Sequence, residues 1–578
     1  IIIFLKVITT SDDLSDNSLF PPLDGDCKKY TRLLRGIEAL DASCFYGRAL
    51  GFQFAPSVGR VFRFIGVVLA TYSLSWEKGY GPLNSLLSTG RFILSPEQRG
   101  SRILKVTQEA DIDFCKGFWN LSELGNQVPR FFCPNMSVND EMDIPVDDPI
   151  FLETNSGNMI RIPPPSAHTG VRPVRIRILS YSHRYNLKAS VGVLDKLPVS
   201  PYLLLHCHGG GFVATSSKSH EAYLRSWAKA LGCTIVSVDY SLAPENPFPR
   251  PTEEALFTYA YLINHAAEFG WTGEKICLTG DSAGGNLVTS LSIRLIQLDV
   301  KRRPNGLILI YTPFLFQYLP SPSRVLSFFD PLLHMGVVLR CTDAYARNQS
   351  PDMTSANSAF EKMKHKSLQE YVDEVQKAQG NRIFNIEVFF YVSYDSLNLL
   401  FCGILGFINF MNVRSFSHSL ADTAVTAAGH AIDNLSGWFD DGSPTGNSDK
   451  DKLSRVAYLK PRIEALENIK SSYIDKLTRN EVPKDPLISP MYASSAILKQ
   501  LPPLRFLACH LDPLLDDTIC FAKKARDSGA AVLSVDLFDN LPHGFLNFTL
   551  VSPECRDGAK LCLNRIRQSF GMNDISFA

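Results

Sequence analysis

A serine between small residues offers the first recognisable chemistry in this 578-residue chain. The segment KICLTGDSAGGN carries the pattern G-x-S-x-G from Gly280 to Gly284, with Ser282 at its centre. An apolar run precedes the pattern and a helical pattern follows it, which predicts a tight strand-to-helix turn. Such a turn exposes the serine hydroxyl at a helix N-terminus, where developing negative charge is stabilised. Ser282 is therefore a candidate nucleophile for acyl transfer.

A serine nucleophile needs a general base and an acidic group that orients the base. His543, in the phrase LPHGF, follows the predicted strand AVLSVDLF, and Asp512 follows the predicted strand LRFLAC. Both lie at the carboxyl ends of strands, at the same edge of a parallel sheet as Ser282. We predict that Asp512 orients His543 and that His543 accepts the serine proton. Asp512 is preferred for its position, but four further candidates for the acid lie nearby: Asp516, Asp517, Asp536 and Asp539.

Three consecutive glycines follow another apolar run, in the segment YLLLHCHGGGFV. Glycine loses the most backbone entropy on ordering, so a triple glycine indicates that the backbone approaches a bound group closely. Acyl transfer creates an oxyanion that backbone N–H groups stabilise. The predicted donors are Gly210, Gly211 and Ala283, the residue after the serine. His208, beside Gly209, is predicted to brace the loop with a hydrogen bond.

The elements that must position these residues alternate between strand and helix. Apolar runs predict strands at VRPVRIRILSY, PYLLLHCH, CTIVSVDY, KICLTG, GLILIYTPF, PPLRFLACH and AAVLSVDLF. Helical patterns lie between them, at residues 219–231, 251–268, 283–298 and 516–528. In VRPVRIRILSY polar and apolar residues alternate, which predicts an exposed strand. In PYLLLHCH the apolar run is continuous, which predicts a buried strand. The order predicts an α/β-hydrolase fold, a mainly parallel sheet with helices on both faces.

Two regions depart from this alternation. Residues before about 140 are mainly helical, with apolar residues at three- and four-residue steps in 30–40, 58–74 and 103–121. Between about 320 and 480 the strand pattern stops, which separates the nucleophile half of the sheet from the acid and base half. The predicted organisation is a helical N-terminal domain (1–140), a catalytic domain in two parts (141–320 and 481–578) and an inserted regulatory module (321–480).

The composition narrows the class of protein. Lys and Arg total 58, as do Asp and Glu, and the absence of a long basic block argues against a nucleic-acid partner. The 13 cysteines show no metal-ligand spacing, and several lie in predicted core strands. We expect reduced thiols in a cytoplasmic, non-secreted protein without metal or cofactor. The apolar start IIIFLKVITT lacks a basic leader, so we interpret it as a truncated sequence and not as a signal peptide.

Several segments together resemble the hormone-sensitive lipase family of α/β-hydrolases. They are HGGGFV, DYSLAPENPFP, GDSAGGN, DPLLDD, LPHGF, CFYGRALGFQF, LLSTGRFILSPEQRG and SPSRVLSFFDPLL. The resemblance covers most of residues 25–320 and 480–570. It implies an intracellular neutral lipase that acts on diacylglycerol, triacylglycerol and cholesteryl or retinyl esters. It also implies that Asp239, Pro244 and Glu245 have structural roles beneath the site.

The resemblance further implies partners and a place of action. These are a lipid-droplet or membrane surface, a cAMP-dependent kinase, a fatty-acid-binding protein or lipid-droplet coat protein, and a second copy of the chain. In such lipases the inserted module carries kinase-target serines preceded by paired basic residues. The nearest match here is Arg414-Ser-Phe-Ser417, with one arginine only. Ser417 is either a regulatory phosphorylation site or a solvated loop serine, and both interpretations stay open.

One segment of the insertion has an unusual composition. Residues 383–413 carry only Glu387 and Asp395 as charges, and their apolar run over 397–410 is shorter than the roughly 20 residues of a spanning helix. We interpret the segment as a lipid-surface insertion or as translated non-coding sequence, with preference for the second.

Two other functions are compatible with these motifs. A soluble carboxylesterase of small esters would use the same residues, although it would not need the N-terminal helical domain. A catalytically silent ligand-binding relative would lose the histidine, whereas this chain keeps Ser282, Asp512 and His543.

Overall fold

The computed structural model describes residues 19–23, 54–76, 91–109, 111–124, 132–190, 192–330, 332–346 and 482–574. The helical pattern at 30–40, the segment 383–413 and Ser417 lie outside the described residues.

An eight-stranded sheet forms the centre of the protein, in the order β1-β4-β6-β5-β7-β8-β9-β10. Strands β5 to β10 pair in parallel with one another, whereas β4 pairs antiparallel with both of its neighbours, β1 and β6. The predicted mainly parallel α/β architecture is therefore confirmed. The strands of the sheet are β1 (Val138–Ile144), β4 (Val174–Ser180), β5 (Ser200–Cys207), β6 (Thr234–Asp239), β7 (Trp271–Asp281), β8 (Gly306–Ile310), β9 (Leu504–Cys509) and β10 (Val532–Phe538), and a separate hairpin contains β2 (Ile150–Glu153) and β3 (Met159–Ile162).

Helices cover both faces of this sheet. Successive side chains of β5 alternate between two buried clusters, with Leu203 and Leu205 in one and Leu204 in the other. Helices α5, α6 and α10 contribute to the first cluster, and α4 and α11 contribute to the second. Their bounds are α4 (Glu221–Leu231), α5 (Arg250–Asn264), α6 (Ala283–Gln297), α10 (Leu515–Asp527) and α11 (Pro553–Phe570).

Three long helices precede the sheet: α1 (Pro56–Trp76), α2 (Pro96–Glu109) and α3 (Ile112–Leu124). The single helix predicted over 103–121 is thus wrong, because the chain forms two helices there. The reason is Asp111, whose carboxylate accepts the N–H of Phe114 at 2.8 Å. An aspartate that accepts this bond caps the start of a new helix.

Helix α1 is the one helix in the described part of the chain that is long and apolar enough to cross a membrane, over Pro56–Leu74 with a mean hydropathy of 1.3. It packs against the second cluster through Val58 and Phe62. At its start, the Ser57 hydroxyl bonds that of Ser552 at 2.7 Å, at the N-terminus of α11. Core packing accounts for much of its apolar sequence.

Strand β4 differs from its prediction, because it is mostly buried and not exposed. Strand β1 covers its outer edge along the whole register from Val138 to Ile144. Arg177, which looked like a solvent-facing residue, is buried, donates to the Ser217 hydroxyl at 3.0 Å and pairs with Glu221 at 3.4 Å. The two arginines of the alternating pattern thus differ, because Arg177 lies in a buried ion pair whereas Arg175 is exposed.

The chain after β8 stays attached to the core through a buried ion pair. It forms two helices, α7 (Pro322–Leu326) and α8 (Met335–Ala346), before residue 347. Asp517 at the start of α10 accepts a bond from Arg324 at 2.8 Å and the N–H groups of Phe314 and Leu315 at 3.0 and 2.9 Å. One carboxylate thus fixes α7 and the segment that follows β8. A short helix, α9 (Ser495–Leu498), precedes β9.

Asp517→Ala should destabilise the fold strongly, because it leaves the Arg324 guanidinium buried without its carboxylate. Removal of one partner from a buried pair typically costs about 3–5 kcal/mol. Urea denaturation followed by tryptophan fluorescence measures the effect. The matched control is Asp557→Ala, which breaks the exposed pair with Lys560 and should not shift the unfolding midpoint measurably. Equal midpoints for the two variants would contradict this role of Asp517.

Candidate active site

Ser282 lies at the sharp turn between β7 and α6. Its backbone has φ 52° and ψ −121°, a conformation that non-glycine residues rarely adopt. The Ser282 N–H donates to the carbonyl oxygen of Ile310 at 2.9 Å, which ties the turn to the end of β8. The strained turn places the serine at the carboxyl edge of the sheet, as in a nucleophile elbow.

The flanking glycines are required by close approach of the backbone. A Cβ atom at Gly280 would overlap the backbone of Gly284, and one at Gly284 would overlap the backbone of Cys207 in β5. The glycines of G-x-S-x-G are therefore needed where the end of β7, the start of α6 and the end of β5 pack backbone against backbone.

The structure brings the three predicted triad residues together. The Nε2 atom of His543 lies 2.9 Å from the Oγ atom of Ser282. The Nδ1 atom of His543 lies 2.9 Å from Oδ2 of Asp512, and the other oxygen of Asp512 accepts the N–H of Leu514 at 2.7 Å. Asp512 is buried, and the His543 side chain is 11% exposed. In this arrangement the histidine can accept the serine proton while the aspartate fixes its orientation.

The other four aspartates lie elsewhere. Asp516 accepts the N–H of Ser323 at 2.7 Å, and Asp517 pairs with Arg324. Asp536 accepts from Arg565 at 2.7 Å, and Asp539 pairs with His510. Of the five candidate carboxylates, Asp512 is the one that reaches His543.

The electrostatic setting of His543 favours its protonated form. Burial lowers the pKa of His543, but the neighbouring Asp512 carboxylate more than offsets this, so the pKa lies above its usual value of 6.5. Asp330 adds to the effect from a greater distance. Asp330 is itself buried, which raises its pKa to about 6, and it accepts the N–H groups of Leu332 and Leu333 at 2.8 and 2.6 Å. Asp330 was not a predicted site residue, because no local sequence pattern indicates its proximity to the triad.

The glycine loop after β5 adopts conformations open mainly to glycine. Gly210 has φ 106° and Gly211 has φ 60°. The carbonyl oxygen of Gly210 accepts the N–H groups of Val213 and Ala214, both at 3.1 Å, which closes a tight turn. Ala283, the third predicted donor, is the first residue of α6.

Neighbouring side chains fix the conformation of the glycine loop through stacking and hydrogen bonds. His208 stacks on the Tyr240 ring with centroids 4.1 Å apart, and its Nδ1 atom lies 2.7 Å from the carbonyl oxygen of Gly209. Burial lowers the pKa of His208 to about 3, so the ring is neutral and Nδ1 donates to this oxygen. The hydroxyl of Thr215 donates to the same oxygen at 2.8 Å.

The two acidic residues of the DYSLAPENPFP segment, Asp239 and Glu245, lie in different surroundings. Asp239 accepts the N–H of Ser217 at 2.7 Å, close to the loop. Glu245 is about half exposed and pairs with Lys116 of α3 at 2.9 Å. The segment is held by Glu254, whose carboxylate accepts both the N–H and the hydroxyl of Ser241 at 2.6 and 2.5 Å. This role of Glu254 was not predicted, since its place in a helical pattern resembles that of a surface residue.

Helix α3 of the N-terminal region contacts the glycine loop. A Cβ atom at Gly211 would lie 3.0 Å from Cζ3 of Trp119 and from Sγ of Cys341 in α8. The side chain of Asn120 accepts the N–H of Thr215 at 2.8 Å. Helices α3 and α8 thus both adjoin the glycine loop. The ten cysteines of the described residues, Cys341 among them, are free.

The raised pKa of His543 gives a testable pH dependence. Only neutral His543 can accept the serine proton, so labelling of Ser282 by a fluorophosphonate should slow as the pH falls, with a midpoint above 6.5. Asp512→Asn removes the charge that raises this pKa and should move the midpoint downward. Asp539→Asn is the control, because Asp539 pairs with His510. A midpoint that Asp512→Asn leaves unchanged would contradict the assigned cause.

Two family profiles match the chain. One, described as the hormone-sensitive lipase (HSL) N-terminus, matches residues 2–188. The other, described as an alpha/beta hydrolase fold, matches residues 204–372 and 440–547. Together they cover the candidate site, most of the sheet and the described helices up to α10, and the predicted α/β-hydrolase fold is confirmed.

Similar proteins extend over nearly the whole chain. Hormone-sensitive lipase of Ictidomys tridecemlineatus is 33% identical over 620 residues, which cover 94% of this chain and 79% of that protein. Hormone-sensitive lipase of Homo sapiens is 32% identical over 628 residues, 94% of this chain and 56% of that protein. A solved structure, the hyperthermophilic esterase from Pyrobaculum calidifontis, has a TM-score of 0.45 and 18% identity, over 82% of this chain and 98% of that one. The protein is a hydrolase of the lipase or esterase type, and the chain belongs to the hormone-sensitive lipase family.

Proposed function

We propose that the protein is a neutral lipase that hydrolyses diacylglycerol, triacylglycerol and sterol or retinyl esters through an acyl-enzyme on Ser282. The observation that carries this proposal is the hydrogen-bonded chain from Ser282 through His543 to the buried Asp512, with both distances at 2.9 Å. Its position beside the glycine loop supports acyl transfer, because that reaction needs a nucleophile and oxyanion donors at one point.

The first half-reaction forms the acyl-enzyme. The Oγ atom of Ser282 attacks the ester carbonyl carbon while Nε2 of His543 takes the hydroxyl proton. The carbonyl oxygen becomes an oxyanion, which accepts bonds from the N–H groups of Gly210, Gly211 and Ala283. The intermediate collapses as His543 returns its proton to the departing alcohol oxygen, and the ester C–O bond breaks.

The second half-reaction releases the acid. A water molecule gives a proton to His543 and attacks the acyl carbon, which forms a second oxyanion at the same donors. The bond to Ser282 then breaks, and the serine oxygen recovers the proton from His543. Asp512 stays ionised throughout and stabilises the imidazolium that appears in both steps.

Large apolar side chains beside the glycine loop support an apolar acyl group. Phe212 stacks on Tyr345 of α8 with centroids 3.7 Å apart, and Phe316 lies 5.6 Å from Phe212. Trp119 of α3 adjoins Gly211. Phe212 and Tyr345 are buried, so of these rings the partly buried Trp119 is the one that an apolar acyl chain at the loop would contact.

The place of action follows from the same proposal. A lipase of these substrates works at the surface of cytoplasmic lipid droplets or membranes, with a cAMP-dependent kinase, a fatty-acid-binding protein or a droplet coat protein as partners. Family membership supports this assignment.

Substitution of the triad tests the mechanism. Ser282→Ala and His543→Ala should each lower kcat by about 10⁶, because neither residue can replace the other, and Asp512→Asn should lower it by roughly 10⁴. Hydrolysis of p-nitrophenyl butyrate per folded protein measures these losses. Asp516→Asn serves as the control. Undiminished turnover by Ser282→Ala would place the nucleophile elsewhere and end the proposal.

A substrate panel tests the lipase assignment. Rates on emulsified dioleoylglycerol, cholesteryl oleate and soluble p-nitrophenyl butyrate should show substantial hydrolysis of all three. Activity on the butyrate alone would identify a soluble carboxylesterase. Ester binding without hydrolysis would identify a silent ligand-binding protein.

A further inference from the structure

Asp281, the residue directly before the nucleophile, has a buried side chain that reaches the glycine loop. It is 2% exposed. Its Oδ1 atom accepts hydrogen bonds from the N–H of Gly209 and from the hydroxyl of Tyr223, both at 3.1 Å. Its Oδ2 atom accepts one from the hydroxyl of Tyr311 at 3.4 Å. One carboxylate therefore links the turn that holds Ser282 to the first glycine of the loop.

Two buried histidines lie against this carboxylate. Nε2 of His220 is 3.5 Å from Oδ2 of Asp281, and Nε2 of His206 is 3.7 Å from Oδ1. The other ring nitrogen of His220 donates to the carbonyl oxygen of Ser216 at 2.9 Å. The other ring nitrogen of His206 lies 2.8 Å from the hydroxyl of Ser237. Each ring is thus fixed at both nitrogens.

Burial and proximity decide the charges in this cluster. Burial raises the pKa of Asp281, but His220 and His206 outweigh it, and the net pKa lies well below its usual range. Burial lowers the pKa of His220, yet the Asp281 carboxylate and the other acceptors raise it above its usual value. Burial lowers the pKa of His206 in spite of the nearby Asp281 carboxylate, and its Nε2 atom lies 3.0 Å from the hydroxyl of Tyr223. The lowered pKa keeps Asp281 ionised, so a buried carboxylate faces the Gly209 N–H and both imidazole rings.

We propose that Asp281 and His220 are positioning residues for the oxyanion site. The inference rests on the proposed function, because it concerns the same ester hydrolysis. Asp281 holds the N–H of Gly209, so the N–H groups of the next two glycines keep one direction relative to Ser282. Donors fixed in advance stabilise the developing oxyanion more than donors that must reorient.

The charge of Asp281 matters in addition to its hydrogen bond. The N–H of Gly209 is shared, because it donates both to Oδ1 of Asp281 at 3.1 Å and to Nε2 of His220 at 3.2 Å. An ionised carboxylate is a stronger acceptor than an imidazole nitrogen, so Asp281 draws this N–H toward the serine turn. A neutral amide at position 281 would be a weaker acceptor, and His220 would then compete more successfully for the Gly209 N–H. The loop would have two positions where it now has one.

The variant Asp281→Asn tests this inference. Fluorophosphonate labelling of Ser282 gives the concentration of intact sites. We expect kcat for p-nitrophenyl butyrate to fall about 10- to 100-fold per labelled site, less than the 10²–10³ of a deleted donor, with KM nearly unchanged. Affinity for a trifluoromethyl ketone, whose serine adduct carries an oxyanion, should weaken by a similar factor.

Asp536→Asn is the matched control, because Asp536 is likewise a largely buried carboxylate in a polar contact, with Arg565, but on β10. It should lower the unfolding temperature and leave kcat per labelled site unchanged. Normal kcat and ketone affinity in Asp281→Asn, with only a lower unfolding temperature, would show a purely structural role and overturn the inference. Absence of hydrolysis by the unsubstituted protein would instead overturn the proposed function.

Should Asp281→Asn fail to fold, His220 carries the test. His220→Gln keeps an acceptor, the amide oxygen, for the Gly209 N–H, whereas His220→Leu keeps only the volume. We expect kcat per labelled site to be about tenfold higher in His220→Gln than in His220→Leu, in line with the cost of a misplaced oxyanion donor. Equal kcat values in the two variants would overturn the inference.

Discussion

The candidate site depends on a contact between backbones from which side chains are excluded. At the turn after β7, Gly280 touches Gly284, and Gly284 touches the end of β5 at Cys207. This contact brings the serine turn and the glycine loop to the same point of the sheet edge. Any Cβ atom there would push β5 away from α6, and the triad and the loop would separate. The glycines set the distance between the serine turn and the glycine loop, and the remaining features of the site orient its side chains and N–H groups.

Buried charge supplies much of that orientation. Asp281 joins the serine turn to the glycine loop, Asp517 joins α10 to the segment after β8, and Asp512 fixes His543. Each carboxylate accepts backbone N–H groups as well as a bond from a cationic or neutral side chain, which offsets the cost of burial. Such groups favour one arrangement of the chain because no other satisfies them.

The sequence predicted the sheet, the turn and the triad residues, since each has a local pattern: apolar runs, glycine spacing, and a position after a strand. It did not predict features that depend on contacts between distant segments. Arg177 looked exposed but pairs with Glu221, and Asp111 divides a helix that apolar spacing made continuous. Glu254, Asp330 and Asp281 escaped notice because an acidic residue has the same local appearance whether it is buried or solvated. Trp119 and Asn120 belong to no motif, so nothing in the sequence indicated that α3 reaches the loop.

The position of the insertion has a consequence for the order of events during synthesis. Strands β8 and β9 are neighbours in the sheet, with Leu307 beside Leu504, although about 200 residues separate them in the chain. At typical translation rates of about 5–20 residues per second, β8 leaves the ribosome roughly 10–40 s before its partner. Throughout that interval the edge of β8 (Gly306–Ile310) that later pairs with β9 has no partner strand. A growing chain in this state would be a natural client for ribosome-associated chaperones, which shield such edges from other nascent chains.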